Sequence, residues 1–221
     1  MNFSAGLFSD YIHWIAHPAY LLILGYALYT APWRRLAESE QMHVFLGTSV
    51  VLLLLWSMKA GITPGLDYHL LGGTLLMLMF GWQLALVAVS LIIAGVTLNG
   101  SGDLYSFSVN ALLMGALPIL FSYAMLRFSV KYLPHHFFVY VLVNGYLCAG
   151  VAMALTVTAA AVLLTCCGSY SMGELTRHYL PFAPFMMFAE AFFTGMLAAS
   201  MALMRPEWIW SFDDRRYLAG K

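Results

Sequence analysis

Charge is scarce in this sequence. Ten Lys or Arg and ten Asp or Glu among 221 residues make 9% charged, against roughly 25% in soluble domains. The formal net charge is zero, so there is no basic surface of the kind that binding to nucleic acid requires. Cysteine is almost absent as well. Cys166 and Cys167 are adjacent, Cys148 lies in an apolar run, and no CxxC spacing occurs. That pattern excludes a zinc knuckle or redox pair and leaves the three thiols as small packing residues. The sequence also has no GxSxG, no HExxH and no phosphate-binding loop, so no familiar enzyme chemistry and no ATP hydrolysis of its own is expected. Met1-Asn2-Phe3-Ser4-Ala5-Gly6 lacks a basic stretch, which argues against a cleavable signal peptide and for a mature chain starting at or near Met1.

What fills the chain is apolar. Hydrophobic residues make up 62%, and the mean hydropathy is +0.81. This is the composition of an all-α, polytopic integral membrane protein. One membrane domain over 1–221 is expected, with a short polar tail at 205–221. A spanning helix needs about 20 mostly apolar residues. Residues 11–31, 42–60, 107–128, 137–165 and 182–204 each meet that requirement. The run 69–98 is too long for one straight span and too short for two, so it reads as two short or tilted helices broken near Gly81. Breaks at Pro32, Pro64, 99–102 and Pro134 supply turns.

Seven transmembrane segments result, and the cations orient them. With the N-terminus outside and the C-terminus cytoplasmic, Arg34, Arg35, Arg127, Lys131, Arg205, Arg215, Arg216 and Lys221 fall inside. Only Lys59 and Arg177 fall outside, a positive-inside bias for a plasma or inner membrane. A six-span arrangement would move Arg34 and Arg35 outside.

Against this background each ionisable group within a span needs a reason. His69 opens an apolar run just before Gly72-Gly73, where another backbone or a ligand can approach closely. It reads either as a site residue or as a core imidazole bonded to a carbonyl or to Asp67. Asp10, His13 and His17 share one face of a helix. Imidazoles spaced i and i+4 can chelate a transition metal, yet histidine near a helix start can equally reach for the headgroups. Glu190 is a carboxylate within a span, read as a proton or counter-charge site or as a structural bond to a neighbouring helix. Asn110 offers an amide to a backbone or a ligand, whereas Gln83 and Asn144 read as helix–helix contacts.

The order of these motifs resembles one family. Gly65-Leu66-Asp67-Tyr68-His69-Leu70-Leu71-Gly72-Gly73 is similar to the glycine-rich stretch ending in HLLGG of the CbiM/NikM proteins. These are the substrate-binding membrane subunits of energy-coupling-factor importers for cobalt and nickel. Gly81-Trp82 follows where the family breaks a helix, and Asn99-Gly100-Ser101-Gly102-Asp103-Leu104 resembles its glycine-rich loop. Val109-Asn110-Ala111-Leu112 resembles its ANVLN segment, Ala189-Glu190-Ala191 with Thr194 its GEALIT helix, and Arg205-Pro206-Glu207 its terminal RPD.

The resemblance implies a seven-helix fold and divalent cobalt or nickel as cargo, with no permanently bound cofactor. It also implies a transmembrane coupling subunit and cytoplasmic ATPases as partners. The family holds its metal with the N-terminal amine, a second-position histidine and the HLLGG histidine. Here the second residue is Asn2, so the carried-over ligands are His69, the Met1 amine and at most the backbone nitrogen of Asn2. His13 or His17 can supply the missing imidazole, which would suit copper or zinc as well. Asn110 would then order the site, Asp67 would pair with His69, and Glu190 would brace the bundle. Two other readings keep the fold without transport: an accessory subunit of a membrane complex, or a haem or quinone subunit using His17 and His69.

Overall fold

The computed structural model describes residues 3–37, 39–58 and 66–217, which form helices and no strand. Met1, Asn2, Lys59, Gly65 and Lys221 lie outside them. The principal helices are α1 (Asp10–Thr30), α2 (Ser39–Ser57), α3 (Gly73–Phe80) and α4 (Trp82–Val96). They are followed by α5 (Phe107–Tyr132), α6 (Phe137–Cys166), α7 (Met172–His178) and α8 (Ala183–Met204). Five helices are long and apolar enough to cross a membrane, by length and composition. The first helix, at 21 residues, is long enough but is not among the five, because His13, His17 and Pro18 dilute its apolar character.

The awkward run 69–98 resolves at Gly81. Its φ of 82° and ψ of 163° end α3, and Trp82 starts α4. At 1.5 Å per residue, the eight residues of α3 rise about 12 Å, far short of a hydrocarbon core of about 30 Å. All eight are buried, so this half-helix is surrounded by protein rather than by lipid.

Both its ends need outside partners. At the start, Gly72 has φ 67°, a left-handed conformation. At the finish, the carbonyls of Leu78 and Met79 have no acceptor role within the helix. They take N–H groups from Ser211 (3.1 Å) and Trp210 (2.9 Å) of the tail.

The half-helix thus runs between two ends of the bundle. At the amino end, Ala5 bonds Asp103, Leu7 bonds Ser169 and Tyr68 bonds Tyr179. At the tail end, Gln83 reaches the Thr30 carbonyl, Gln41 the Glu207 carbonyl, and the Trp208 indole Glu40. Ser171 caps α7 locally: its hydroxyl accepts from the Glu174 N–H while the Glu174 carboxylate accepts from the Ser171 N–H. Asn144 and Gln83 do serve as helix contacts, the first through Ser129 Oγ at 3.1 Å. Gly145 packs against Gly195, where an added Cβ would lie 3.1 Å from the Gly195 Cα.

Gly72→Ala tests the entry into α3. A Cβ there would sit 2.5 Å from Leu52 Cδ2, on a backbone at φ 67°. Left-handed geometry alone costs an L-residue roughly 1–2 kcal/mol. The variant is expected to melt at a lower temperature than wild type in detergent, and by more than Gly6→Ala, whose Cβ meets nothing within 4 Å.

Candidate metal centre

Two backbone segments meet the bundle at its amino end, and side chains from the helices pin both. The first is residues 3–8. Asn110 pairs with Phe3 as a neighbouring strand would. Its Oδ1 accepts the Phe3 N–H at 3.0 Å, and its Nδ2 donates to the Phe3 carbonyl at 3.0 Å. Ser106 Oγ donates to the same carbonyl at 2.6 Å. Asp103 Oδ2 accepts the Ala5 N–H at 3.2 Å, while its Oδ1 takes the Tyr105 N–H in a local turn. The Ser169 hydroxyl donates to the Leu7 carbonyl, and the buried Phe3 and Phe8 rings pack edge to face.

The second segment is the loop 66–72, which carries His69. Glu190, 1% exposed on α8, accepts the Leu71 and Gly72 N–H groups, each at 2.7 Å. A carboxylate taking two backbone N–H groups makes charge-assisted bonds of the strong kind. The Trp56 indole of α2 donates to the Leu71 carbonyl at 3.1 Å. Tyr68 stacks on Tyr179 at 4.8 Å, and its hydroxyl donates to the Tyr179 carbonyl at 3.0 Å. Thus α2, α8 and the residue after α7 each hold this loop.

His69 itself is 3% exposed, with its ring 4.4 Å from that of Trp56. Its Nδ1 lies 3.0 Å from the Leu70 carbonyl, which can only accept. The Nδ1 proton therefore points to that carbonyl, and the lone pair of the neutral ring falls on Nε2. This is the tautomer in which imidazole ligates metals with its orientation fixed from behind.

The first-helix histidines are placed differently. His13 is fully buried, with Nε2 donating to the Ala5 carbonyl at 3.3 Å and its ring 4.4 Å from Tyr105. Its Nδ1 has no hydrogen-bond partner among the described residues. His17 is 6.3 Å from His13, ring to ring, and pairs through Nδ1 with Ser108 Oγ at 2.9 Å. Among the described residues no three His, Cys, Asp or Glu side chains form a group that could hold a metal ion. The structure therefore brings His13 and His17 to each other, with His13 on residues 3–8 and His17 on Ser108, without a three-imidazole cluster that includes His69. Asp10 is exposed on the same helix. Asp67 is half-buried beside the loop that follows α6. Burial first, then the charges of Glu174 and Asp67, push the Tyr170 phenol there above its ordinary value.

Trp56, Ser106, Ser108 and the Tyr68–Tyr179 pair escaped the reading of the sequence. Asp103 and Ser106, three apart after a glycine loop, are a turn signal that could have flagged the clamp. Nothing local marks Trp56, because aromatic residues near span ends are common.

Asn110→Ala removes the acceptor of the Phe3 N–H and one of the two donors to the Phe3 carbonyl, leaving the Ser106 hydroxyl on the latter. Amide exchange at Phe3 and Ala5 is expected to speed up by at least about tenfold, as two buried hydrogen bonds of about 1 kcal/mol each disappear. Hydrogen–deuterium exchange read by mass spectrometry checks it, with the Glu174 amide in the α7 cap as an unchanged reference.

The class that emerges is a polytopic helical membrane protein. It is built around a buried half-helix, and a pinned backbone loop presents one histidine at its start. The family model described as cobalt uptake substrate-specific transmembrane region, CbiM, matches residues 2–208, and the chain belongs to that family. The fold is shared with a crystal structure described as a transition metal transporter, at TM-score 0.71 and 17% identity over 92% of this chain and 93% of that one. A truncated transition metal transporter is similar at TM-score 0.69 and 16% identity, over 92% and 98% of the two chains. No curated protein sequence matches this one significantly.

Proposed function

We propose that this chain is the substrate-binding membrane component of an energy-coupling-factor importer for a divalent transition metal. The observation that carries the reading is the anchoring of His69. A buried imidazole has its Nδ1 proton committed to Leu70, on a loop whose next two N–H groups are held by Glu190. In this reading Nε2 of His69 is the primary ligand, and the Met1 amine and the Asn2 backbone nitrogen join it. The Asn110 clamp supports this by fixing Phe3, the residue from which those two depart. His13 acts as a prop for residues 3–8 through the Ala5 carbonyl, and His17 ties the first helix to Ser108 of α5. Glu190 orients the loop, and Asp67 lies at its outer side.

Cobalt or nickel is the cargo the family favours. Asn2 in place of an imidazole weakens a square-planar four-nitrogen site and leaves copper or zinc as competitors. The chain is taken to cross the membrane seven times, counting the loop with α3 as one traverse, with the N-terminus outside and the C-terminus in the cytoplasm. Both the cation distribution and the hydrogen bonds at the two ends of the bundle support that count. Energy would come from cytoplasmic ATPases through a transmembrane coupling subunit, because the sequence has no nucleotide loop. Asn2 favours one other reading, a family member that has kept the fold and lost the metal. Equilibrium dialysis of purified protein against Co²⁺, Ni²⁺, Cu²⁺ and Zn²⁺ separates the two: metal bound by wild type but not by His69→Ala supports transport, and none bound by either supports loss.

A further inference from the structure

The tail end of the bundle carries a hollow that the candidate metal centre does not use. It has a volume of about 670 Å³ and lies between the last turns of α5 and residues 210–216. Among the described residues three cations, Arg127, Lys131 and Arg216, line it with one carboxylate, Asp213. That carboxylate is engaged, its Oδ1 accepting the Arg215 N–H at 3.0 Å. Among the described residues the ion pair formed is Arg205 with Glu207, at 3.4 Å and outside this hollow. Arg127 instead reaches the Tyr123 hydroxyl at 3.4 Å, and Lys131 lies over the Tyr132 ring at 4.9 Å. Phe128, Tyr132 and Trp210, all exposed, complete the lining. Cations interleaved with exposed aromatic rings at a helix end mark the membrane–water boundary, where basic pockets between spanning helices take anionic headgroups.

The floor is not a loose tail. Trp210 and Ser211 donate to Met79 and Leu78 at the end of α3, and the Ser211 hydroxyl pairs with Tyr140 at 2.6 Å. Whatever fills the hollow therefore rests on a segment that closes the inner end of the half-helix behind His69.

We propose that this hollow binds the phosphate of an anionic phospholipid, held by Arg127, Lys131 and Arg216, with the three exposed rings against the glycerol and upper acyl chains. Zwitterionic lipid meets the same rings but gains less from three cations facing one carboxylate.

The test uses the purified full-length protein in a neutral detergent. Native mass spectrometry and thermal melting are run with dioleoylphosphatidylglycerol, with tetraoleoyl cardiolipin, with dioleoylphosphatidylcholine, and with inorganic phosphate alone. Anionic lipid is expected to be retained at least about tenfold better than phosphatidylcholine and to raise the melting temperature, with the preference shrinking in salt. The triple variant Arg127→Gln, Lys131→Gln, Arg216→Gln should lose the preference, and Arg34→Gln should keep it. Equal retention of both lipid classes by wild type overturns the proposal and leaves an acidic segment of a partner protein as the fitting occupant. Equal stabilisation by inorganic phosphate overturns it in favour of a free anion. Because the wild-type comparison needs no variant, a misfolded triple mutant leaves the test intact, and Arg216→Gln alone, on the exposed tail, should still weaken the preference.

Discussion

His69→Ala is expected to remove high-affinity binding of Co²⁺ or Ni²⁺ by the purified protein, and it is the largest single effect in this account. Losing the hydrogen-bonding support of a ligand typically costs roughly 10–100-fold in metal affinity, and losing the ligand itself costs more. Its loop is also held through the Leu71 and Gly72 backbone by Glu190 and through Tyr68. Because the buried ring packs against Trp56, which itself donates to the Leu71 carbonyl, a melting curve of the variant accompanies the titration to separate loss of the ligand from loss of packing. His13→Ala and His17→Ala provide the contrast. They touch the Ala5 carbonyl and Ser108, so their effect should be indirect and below about tenfold. Asn2→His, restoring the imidazole implied by the family pattern, should raise affinity for Ni²⁺ more than for Zn²⁺, because a completed set of nitrogens favours square-planar ions. Isothermal titration of the five proteins with each metal reads all of these outcomes.

Glu190→Gln should have the second largest effect, although it changes a single atom. Both oxygens accept backbone N–H groups at 2.7 Å in a site 1% exposed. An amide offers one oxygen and one NH₂, so one of the two N–H donors faces another donor. An unsatisfied buried donor costs about 1–3 kcal/mol, and the charge-assisted character of the remaining bond is lost as well. The loop bearing His69 is then free to turn, and metal affinity is expected to fall by roughly 10–100-fold at temperatures where the variant is folded. Glu190→Ala leaves both donors unmet and should melt lower still. Differential scanning fluorimetry beside metal titration separates the two effects. A variant with a lowered melting temperature and wild-type affinity would mean that Glu190 braces the bundle without orienting His69.

Much of the frame was legible because apolar length and special backbone residues are local properties. The 69–98 run was suspicious for its length alone, and Gly81, with φ 82°, is where it breaks. Asn110 and Glu190 stood out because a polar group within a span must find a partner, but the sequence did not say which. The partners turned out to be backbone groups 107 and 119 residues away. Such pairings depend on how helices are arranged, and the other half of each bond is an N–H or C=O that every residue carries. The same limit explains the first-helix histidines. Their i, i+4 spacing suits a chelate, but Ala5 and Ser108 compete for their nitrogens, and those competitors come from a folded-back segment and from α5. The half-helix was legible as a break but not as a buried element, since its eight apolar residues look the same facing lipid or protein.

The central claim, that a pinned His69 holds a transported metal, is tested most directly by counting metal. Purified full-length protein is loaded with Co²⁺, Ni²⁺, Cu²⁺ or Zn²⁺ in turn, passed through a desalting column, and its metal content measured by inductively coupled plasma mass spectrometry beside His69→Ala. Close to one ion per chain is expected in wild type and background in the variant. Equal metal in the two proteins, or background in both for all four of Co²⁺, Ni²⁺, Cu²⁺ and Zn²⁺, would contradict it.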